Sequence, residues 1–533
     1  MKLDYSSYKY PSNRNVAFAN KGMVATTQPL AAEAGLEILK KGGNAIDAAI
    51  ATAATLTVVE PTSNGIGGDG FAIIWYKDKL YGLNASGPSP YGINIEKVRN
   101  MGFKHVPKYG FLPVNVPGIP YGWREMSKRL GVLSLKEVLE PAINYAKDGY
   151  PVSTTVSDNW KKAFEIYKKE LKGAEFEHWF KMFTVDGRPP EPGEIWKSKD
   201  LSKTLQELAE SECLSFYEGE IADRIDKFSK QYGGFISKKD LKSYRPEWIK
   251  PITTKYRGYD IWELPPNTHG LVVLLALKIL SNFNIEKDNM DSYHYMIEAM
   301  KLAFIDGLQY ITDSNKMKLD IEHLLSESYT CDRSKLIGEK AISPKYGAPN
   351  TGGTVYLSTA DKDGNMVSYI QSNYMGFGSG LVVPDTGISL HNRGFTFSLD
   401  DNAHNKLEPN KKTYHTIIPG FITKENKAVG PFGVMGAYMQ PQGHLQSLIN
   451  MIDFNLNPQE ALDKYRWYWI EDRQVLVEED FPKNIKEYLE KKGHDINYSK
   501  DTASFGRGQI IIKDGESYVG GTEKRADGHI AVW

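Results

Sequence analysis

Residues 350–365 read NTGGTVYLSTADKDGN. The run from Val355 to Ala360 is typical of a β-strand, and Asp363-Gly364 is typical of the tight turn of a hairpin. The unusual feature is Thr354, which follows two glycines in the middle of a long chain. Taken alone, the stretch favours the plain interpretation that a Gly-Gly turn leads into a strand.

A second interpretation gives Thr354 a chemical role. A threonine hydroxyl is a poor nucleophile unless a base lies beside it. If the peptide bond before Thr354 were cut, the freed α-amine, with a pKa near 8, could serve as that base. Gly352 and Gly353 would help, because glycine tolerates distorted backbone angles and leaves the preceding carbonyl open to attack. Thr354 would then first cleave the chain and later act as the catalyst.

Composition and charge exclude several classes of protein. The 533 residues are 41% hydrophobic and 25% charged, and the formal net charge is -1, with no basic tract. These values are typical of a globular protein and argue against nucleic acid or an anionic membrane as a partner. The apolar stretch 45–59 is too short to span a bilayer, and the polar N-terminus lacks the apolar core of a secretory signal. We therefore expect a cytoplasmic protein.

The order of elements predicts a layered α+β fold. Residues 29–41 are predicted to form a helix that ends at Gly42-Gly43, and residues 44–61 a second helix that is apolar on nearly all sides. Residues 71–76 and 79–84 predict a hairpin, and the region 125–340 is predicted to be mostly helical. Strands are then predicted at 354–361, 365–373, 415–423 and 509–515. This pattern indicates helices outside packed sheets.

Several motifs are discounted because their context is wrong. GIGGDG at residues 65–70 matches a dinucleotide fingerprint, but a helix precedes it and a strand follows, which reverses the required order. DKDGN has its glycine at the wrong place for a calcium loop, and GFGSG around Ser379 is not a nucleophile elbow. The two cysteines give no disulfide framework. No metal site is predicted from the scattered histidines His391, His404, His415 and His444.

Longer stretches resemble the γ-glutamyltransferase (glutathione hydrolase) family in collinear order from about residue 15 to the C-terminus. The resemblance is carried by GMVATTQPLAAEAGLEILKKGGNAIDAAIATAATLTVVEPTSNGIGGDGF (22–71), FYEGEIADRI (216–225), YHYMIEAMKLAFIDGLQYITD (293–313) and TVYLSTADKDGNMVSYIQSNYMGFGSG (354–380).

This resemblance implies an N-terminal-nucleophile hydrolase with a four-layer αββα sandwich. It also implies a precursor that cleaves itself between Gly353 and Thr354. The products would be a large-subunit segment, 1–353, and a small-subunit segment, 354–533, which together form one αββα domain. From the total of 59.9 kDa, the fragments would be about 40 and 20 kDa. The two would form a heterodimer, with further oligomerisation left open.

The family's catalytic residues carry over onto similar residue types. The nucleophile falls on Thr354, and the supporting hydroxyl falls on Ser372. The pair whose N–H groups form the oxyanion hole falls on Gly436 and Ala437. Because backbone amides perform that task, alanine is an acceptable replacement.

The family's substrate-binding residues carry over less well. The arginine that binds the substrate α-carboxylate falls on Ser86, and the two serines that assist it fall on His415 and Thr416. A donor-site asparagine falls on Tyr374. The glutamine falls on Arg393, and the aspartate that pairs with the α-ammonium falls on Thr396. The catalytic residues are thus retained while the substrate clamp is altered, which resembles a divergent branch near the glutaryl-type cephalosporin acylases.

The resemblance therefore predicts a self-processing amidohydrolase that cleaves γ-glutamyl amides such as glutathione, with acyl transfer not separable from hydrolysis. Two alternatives stay open. One is an acylase for N-acyl groups that bear a distal carboxylate, such as glutaryl, favoured by Ser86, Arg393 and Thr396. The other is a non-catalytic binding or structural relative. No metal or organic cofactor is implied, and the expected partner is a small-molecule amide substrate.

Overall fold

A computed structural model describes residues 13–287, 289–344 and 353–533. The α-helices are α1 (Pro29–Lys40), α2 (Ala45–Val59), α3 (Ile95–Asn100), α4 (Ile119–Leu130), α5 (Leu135–Asp148), α6 (Thr154–Glu170), α7 (Glu177–Phe183), α8 (Lys199–Glu210), α9 (Ser215–Glu218), α10 (Glu220–Gln231), α11 (Lys238–Ser243), α12 (Gly270–Leu280), α13 (Met290–Tyr310), α14 (Ile321–Leu324), α15 (Glu327–Ser334), α16 (Met439–Ile452), α17 (Pro458–Asp463) and α18 (Lys483–Lys491).

The strands are β1 (Ala17–Ala19), β2 (Gly22–Thr26), β3 (Asp69–Tyr76), β4 (Lys79–Ala85), β5 (Tyr150–Pro151), β6 (Ile195–Trp196), β7 (Glu247–Ile249), β8 (Ile252–Tyr256), β9 (Tyr259–Glu263), β10 (Gly353–Asp361), β11 (Met366–Tyr374), β12 (Val382–Val383), β13 (Ile388–Ser389), β14 (Gly420–Lys424), β15 (Lys427–Met435), β16 (Trp467–Glu471), β17 (Gln474–Glu478), β18 (Asp495–Ser499), β19 (Arg507–Asp514), β20 (Ser517–Thr522) and β21 (His529–Val532).

Two seven-stranded antiparallel sheets form the centre of the molecule. The first sheet has the order β1-β20-β19-β15-β14-β9-β8, and the second has the order β21-β2-β10-β11-β3-β4-β7. The hairpin β10–β11, which contains Thr354, lies in the middle of the second sheet. Each sheet takes strands from both sides of residue 353, so the two predicted segments interleave in one core.

Helices cover the outer face of each sheet. Helices α2, α4 and α5 pack on the second sheet through one large apolar cluster, while α12, α13 and α16 pack on the first sheet through another. Between the sheets lies a third cluster, to which Phe71, Ile370, Phe421 and Ile511 contribute. The order of layers is therefore helix, sheet, sheet, helix, and the predicted αββα sandwich is confirmed.

Local sequence signals explain the elements that support the site. Helix α2 begins with a capping box between Asn44 and Asp47, and each of its fifteen residues is buried, as its nearly all-apolar surface predicts. The predicted first helix and the two predicted hairpins are also confirmed. At the tip of β10–β11, the Gly364 N–H donates to Asp361 O at 3.2 Å, which closes the predicted turn.

One predicted strand is wrong in part. The run 415–423 was expected to be extended throughout, but the strand there is Gly420–Lys424. Pro419 has no N–H to donate to a ladder, so regular pairing begins after it. The preceding residues contribute instead to the site described below.

Candidate active site

The beginning of strand β10 brings Thr354 against Ser372 of strand β11. Gly353 pairs with Tyr374 and Val355 pairs with Gln371, so the register contains a bulge at Thr354. Bulges commonly re-aim side chains beside active sites. Here both hydroxyls are buried, each residue being 1% exposed, and Thr354 Oγ1 lies 3.1 Å from Ser372 Oγ.

Three hydrogen bonds meet at the Ser372 hydroxyl. It accepts from the Thr354 hydroxyl at 3.1 Å and from the Tyr374 N–H at 2.8 Å. It donates to the carbonyl of Gly353 at 2.7 Å. Ser372 therefore connects the candidate nucleophile with the carbonyl oxygen of the peptide bond that precedes it.

Gly353 is confined by close packing. A Cβ atom added there would lie 3.2 Å from the Gly376 nitrogen, 3.2 Å from Ser63 Cα and 3.3 Å from Thr62 O. Its backbone is not in the left-handed region, in contrast to Gly376, with φ 53°. Close packing rather than left-handed geometry thus explains glycine at residue 353. Gly352 lies outside the described residues.

Gly436 and Ala437 form the turn between strand β15 and helix α16. Both have positive φ, 136° and 51°, and the turn directly precedes the helix N-terminus. Backbone N–H groups in such a turn, together with the helix dipole, favour a developing negative charge. Met435, the residue before this turn, lines the same cavity as Gly353.

Arg393 is a buried cation with an unused hydrogen-bond donor. It is 1% exposed, its Nη1 donates to Thr416 Oγ1 at 2.7 Å, and its guanidinium carbon lies 4.2 Å from the centre of the Tyr374 ring. Among the described residues, none accepts a hydrogen bond from Nη2. Burial lowers the pKa of Arg393 to about 10, so it is charged at neutral pH. A buried guanidinium with a free N–H edge suits a carboxylate ligand.

Asp69 is the carboxylate whose charge acts on Arg393. Its Oδ2 lies 3.0 Å from His415 Nε2, and its Oδ1 accepts from the Gly87 N–H at 3.2 Å. Burial raises the pKa of Asp69 to about 7, although Arg393 opposes this shift. Burial also keeps the pKa of His415 well below its usual value, so its imidazole is neutral.

Two further predicted substrate contacts are engaged within the protein. The Ser86 hydroxyl donates to Asn84 Oδ1 at 2.7 Å. The Thr396 hydroxyl donates to Arg393 O at 2.8 Å and shares a 2.8 Å hydrogen bond with Thr413. Neither hydroxyl is an unpaired donor, and their direct contact with substrate stays a prediction.

The sequence does not reveal a pair of stacked tyrosines, Tyr414 and Tyr438, of which Tyr438 interacts electrostatically with Arg393. Tyr414 and Tyr438 stack with ring centroids 6.0 Å apart, and His269 Nδ1 lies 3.2 Å from the Tyr414 hydroxyl. Burial lowers the pKa of His269 well below its usual value. Tyr414 and Tyr438 adjoin His415 and Ala437, two residues that the family resemblance selects. This adjacency is the sequence signal by which the two tyrosines could be found.

Another histidine cluster lies apart from this site. The atoms of His294, Glu298 and His494 that could ligate a metal ion lie within 4.8 Å of one another. The Lys301 ammonium, however, donates to Glu298 Oε1 at 2.7 Å, and His294 Nε2 bonds the Gly338 carbonyl at 2.8 Å. The carboxylate is therefore already paired with a cation, and His294 forms a hydrogen bond with the backbone at Gly338.

The fold is shared with enzymes of known structure. A crystal structure of a cephalosporin acylase from Bacillus halodurans superposes with a TM-score of 0.97 and 54% identity, covering 100% of this chain and 99% of that one. The shared architecture is the αββα sandwich of the N-terminal-nucleophile hydrolases, as found in this acylase and in a Helicobacter pylori gamma-glutamyltranspeptidase, which matches with a TM-score of 0.55 and 30% identity over 62% of this chain and 94% of that one.

A sequence profile described as Gamma-glutamyltranspeptidase matches residues 31–533, and the chain belongs to this family. It is 36% identical to the Glutathione hydrolase-like YwrD proenzyme of Bacillus subtilis, over 97% of this chain and 99% of that protein. It is 32% identical to the Oxamate amidohydrolase proenzyme of Klebsiella pneumoniae, over 96% and 98%. The chain is accordingly an enzyme of the hydrolase and acyltransferase class.

Proposed function

We propose that this chain is a self-cleaving amidohydrolase that uses Thr354 as an N-terminal nucleophile and acts on amides whose acyl group bears a carboxylate. The observation that carries the proposal is the chain of hydrogen bonds from the Thr354 hydroxyl through Ser372 to the Gly353 carbonyl. The names of related proteins, which include glutathione hydrolase, oxamate amidohydrolase and acylase proenzymes, support both the reaction class and the processing.

Self-cleavage begins with attack of Thr354 Oγ1 on the carbonyl carbon of Gly353. Ser372 accepts the threonine proton while it donates its own proton to the carbonyl oxygen. The tetrahedral intermediate that forms in this buried site therefore carries no net charge. Collapse of the tetrahedral intermediate breaks the C–N bond, and the nitrogen of Thr354 takes up a proton. Water then hydrolyses the ester, which yields the Gly353 carboxylate and the free Thr354 amine and hydroxyl.

Turnover repeats this chemistry on an external amide. The Thr354 amine takes the hydroxyl proton as Oγ1 attacks the substrate carbonyl, and the same proton passes to the leaving amine. The N–H groups of Gly436 and Ala437 stabilise the oxyanion. Water releases the acyl group as a carboxylic acid; a second amine in place of water gives acyl transfer.

The acyl-group preference follows from the charges around Arg393. Its free Nη2 edge binds the distal carboxylate of the acyl group, while Thr416 and Tyr374 orient the guanidinium. Asp69 is the carboxylate whose charge acts on Arg393. It already pairs with His415 and accepts a hydrogen bond from the Gly87 N–H, so it is not assigned to binding an α-ammonium. This arrangement favours glutaryl-like acyl groups. γ-Glutamyl amides are the second candidate, favoured by the similarity to glutathione hydrolases.

Intact mass and two substrates test the proposal. The purified protein should separate into fragments of about 40 and 20 kDa from a total of 59.9 kDa, and Thr354→Ala should stay uncut. Glutaryl and γ-glutamyl para-nitroanilides are then compared, with the glutaryl amide expected to react faster. Faster γ-glutamyl turnover would transfer the proposal to the second candidate. A chain that stays whole and cleaves neither amide would instead support a non-catalytic relative.

Two further expectations stay predictions: a heterodimer of the two fragments, and a cytoplasmic location. Among the described residues, no helix is both long and apolar enough to cross a membrane.

A further inference from the structure

Tyr374, at the end of strand β11, has a backbone conformation that is rare for a large side chain. Its φ is 74°, in the left-handed region, and among the described residues it is the only aromatic residue with a positive φ. The residue is also buried, with 2% of its surface exposed. A bulky residue with positive φ is strained, and such strain persists only where surrounding contacts hold the residue in place. The contacts of Tyr374 therefore indicate what this strain serves.

The backbone of Tyr374 belongs to the hydrogen-bond network of the nucleophile. Its N–H donates to Ser372 Oγ at 2.8 Å, and the residue lies opposite Gly353 in the ladder between β10 and β11. The same Ser372 oxygen lies 3.1 Å from the Thr354 hydroxyl oxygen. The direction of the Tyr374 N–H therefore helps to fix the orientation of the Ser372 hydroxyl, and with it the orientation of the Thr354 hydroxyl.

The ring of Tyr374 contacts the cation that is proposed to bind the acyl carboxylate. The Arg393 guanidinium carbon lies 4.2 Å from the ring centre, within the range of a cation–π contact. On another side, the ring centroid lies 6.4 Å from that of Phe395. Arg393 has a second anchor, since its Nη1 donates to Thr416 Oγ1 at 2.7 Å. Removal of the tyrosine ring would therefore loosen Arg393 without releasing it altogether.

The hydroxyl of Tyr374 interacts with the hydroxyl of Tyr438. Tyr438 directly follows the Gly436–Ala437 turn and is the N-cap residue of helix α16. Different parts of Tyr374 thus contact the hydroxyl that supports the nucleophile, the carboxylate-binding cation and the residue beside the oxyanion turn. Because these contacts hold a strained backbone in place, we expect a shift of the guanidinium to be passed to the Tyr374 N–H.

We propose that Tyr374 is a positioning residue that aligns the Thr354–Ser372 pair when the acyl carboxylate binds to Arg393. This inference rests on the proposed function. A carboxylate on the free Nη2 edge fixes the guanidinium over the ring, and the ring fixes the backbone N–H that bonds to Ser372. Part of the binding energy of the carboxylate is thereby used to orient the reacting groups, so the carboxylate raises kcat as well as lowering KM.

A carboxylate contact that served affinity alone would have a different kinetic effect. An interaction made equally in the ground state and in the transition state lowers KM and leaves kcat unchanged. A tyrosine that only filled space would, when replaced, lower kcat equally for acyl groups with and without the carboxylate. The role of Tyr374 is therefore measured by the effect of the carboxylate on kcat, and not by the loss of activity itself.

The test compares a glutaryl amide with a pentanoyl amide, in which a methyl group replaces the distal carboxylate. If γ-glutamyl is the faster acyl group, the pair is γ-glutamyl and 4-aminopentanoyl. We expect the carboxylate to raise the wild-type kcat about tenfold, a small part of the effect that orientation of reacting groups can have on a rate. The ratio of the two kcat values is the quantity followed in the variants.

Tyr374→Asn removes the ring but suits the left-handed backbone, because asparagine adopts positive φ more readily than most residues. It should bring the kcat ratio to about one and keep most of the difference in KM, since Thr416 still holds Arg393. Tyr374→Phe keeps the ring on Arg393 and should keep most of the ratio. Tyr256→Asn is the matched control and should keep the wild-type ratio. Tyr256 is 1% exposed and its ring centre lies 5.2 Å from the guanidinium carbon of Arg257, but it belongs to the edge strand β8.

The outcomes separate this inference from the proposed function. A kcat ratio near one in the wild type, or a wild-type ratio in processed Tyr374→Asn, would overturn the inference and leave the amidohydrolase intact. If Tyr374→Asn does not process, Tyr374→Leu decides, because leucine keeps the buried space apolar; a wild-type ratio there overturns the inference equally. An uncut wild-type chain that cleaves neither amide would instead remove the proposed function and, with it, this inference.

Discussion

The Ser372 hydroxyl accepts a hydrogen bond from the Thr354 hydroxyl at 3.1 Å while it donates one of 2.7 Å to the carbonyl that precedes Thr354. One side chain therefore contacts both the attacking oxygen and the oxygen on which negative charge would develop. A bulge in the central hairpin produces this arrangement, since regular pairing would not place Ser372 and Asn373 opposite a single residue.

The first prediction concerns this hydroxyl. Ser372→Ala should slow self-cleavage at least about 100-fold, because loss of one preorganised donor to a developing oxyanion has an effect of that size. Ser372→Thr keeps the hydroxyl and should process at a rate closer to the wild type. The measurement is the rate at which the full-length chain converts to two fragments.

Ser368 provides a matched control on the same strand. Its hydroxyl pairs with the Tyr356 hydroxyl at 2.7 Å, away from Thr354, so Ser368→Ala should not slow cleavage to the same degree. Equal processing rates for Ser372→Ala and the wild type would contradict the proton path described above.

The second prediction concerns the close packing at Gly353. Gly353→Ala places a methyl group 3.2 Å from two backbone atoms of neighbouring segments, Gly376 N and Ser63 Cα, and should slow self-cleavage about tenfold by displacing the scissile carbonyl. Gly338→Ala is the control, since nothing lies within 4 Å of a Cβ added there. If both variants process at the wild-type rate, packing does not position the bond.

Most of the fold was predictable because its signals are local. The helix beginning at Pro29, the mostly apolar helix after Asn44 and the turn at Gly364 each depend on caps, periodicity or turn residues within a few positions. The pairing of strands into two facing sheets is non-local, and it came from the family resemblance rather than from any periodicity. Residues 415–419 are as hydrophobic as a strand, but the strand begins only at Gly420 because Pro419 has no N–H to donate.

The candidate site was predictable to different degrees. Thr354 and Ser372 could be named because their residue types match the family's hydroxyls at collinear positions. Asp69 could not, since its role depends on the register that places it opposite Ser372 and on its contact with His415, which is 346 residues away in sequence. Likewise, no sequence pattern shows that Arg393 is buried with a free donor, because burial is set by elements from both segments.

The third prediction concerns Arg393. Arg393→Lys should raise KM for a glutaryl amide about tenfold, because an ammonium cannot reproduce the planar fork that bonds Thr416 and stacks on Tyr374. Arg393→Gln removes the charge and should raise it about 100-fold. A pentanoyl amide, which lacks the distal carboxylate, is the control substrate. Variants that weaken both substrates equally would show that Arg393 does not bind the carboxylate.

The fourth prediction is a dependence of KM on pH through Asp69. Its pKa is raised by burial to about 7, so below that pH the carboxyl is neutral and Arg393 retains its full attraction for the substrate carboxylate. Above that pH, the ionised Asp69 partly neutralises Arg393 and repels the substrate. KM for a glutaryl amide should therefore rise several-fold, about three to ten, between pH 6 and pH 8.

Asp69→Asn cannot ionise and should give a flat KM over this range, with its amide oxygen still available to the Gly87 N–H. Steady-state kinetics must separate KM from kcat, because an α-amine such as that of Thr354 has an ordinary pKa near 8 and its protonation affects kcat. A KM that rises with pH in Asp69→Asn as it does in the wild type would assign the titration to another group.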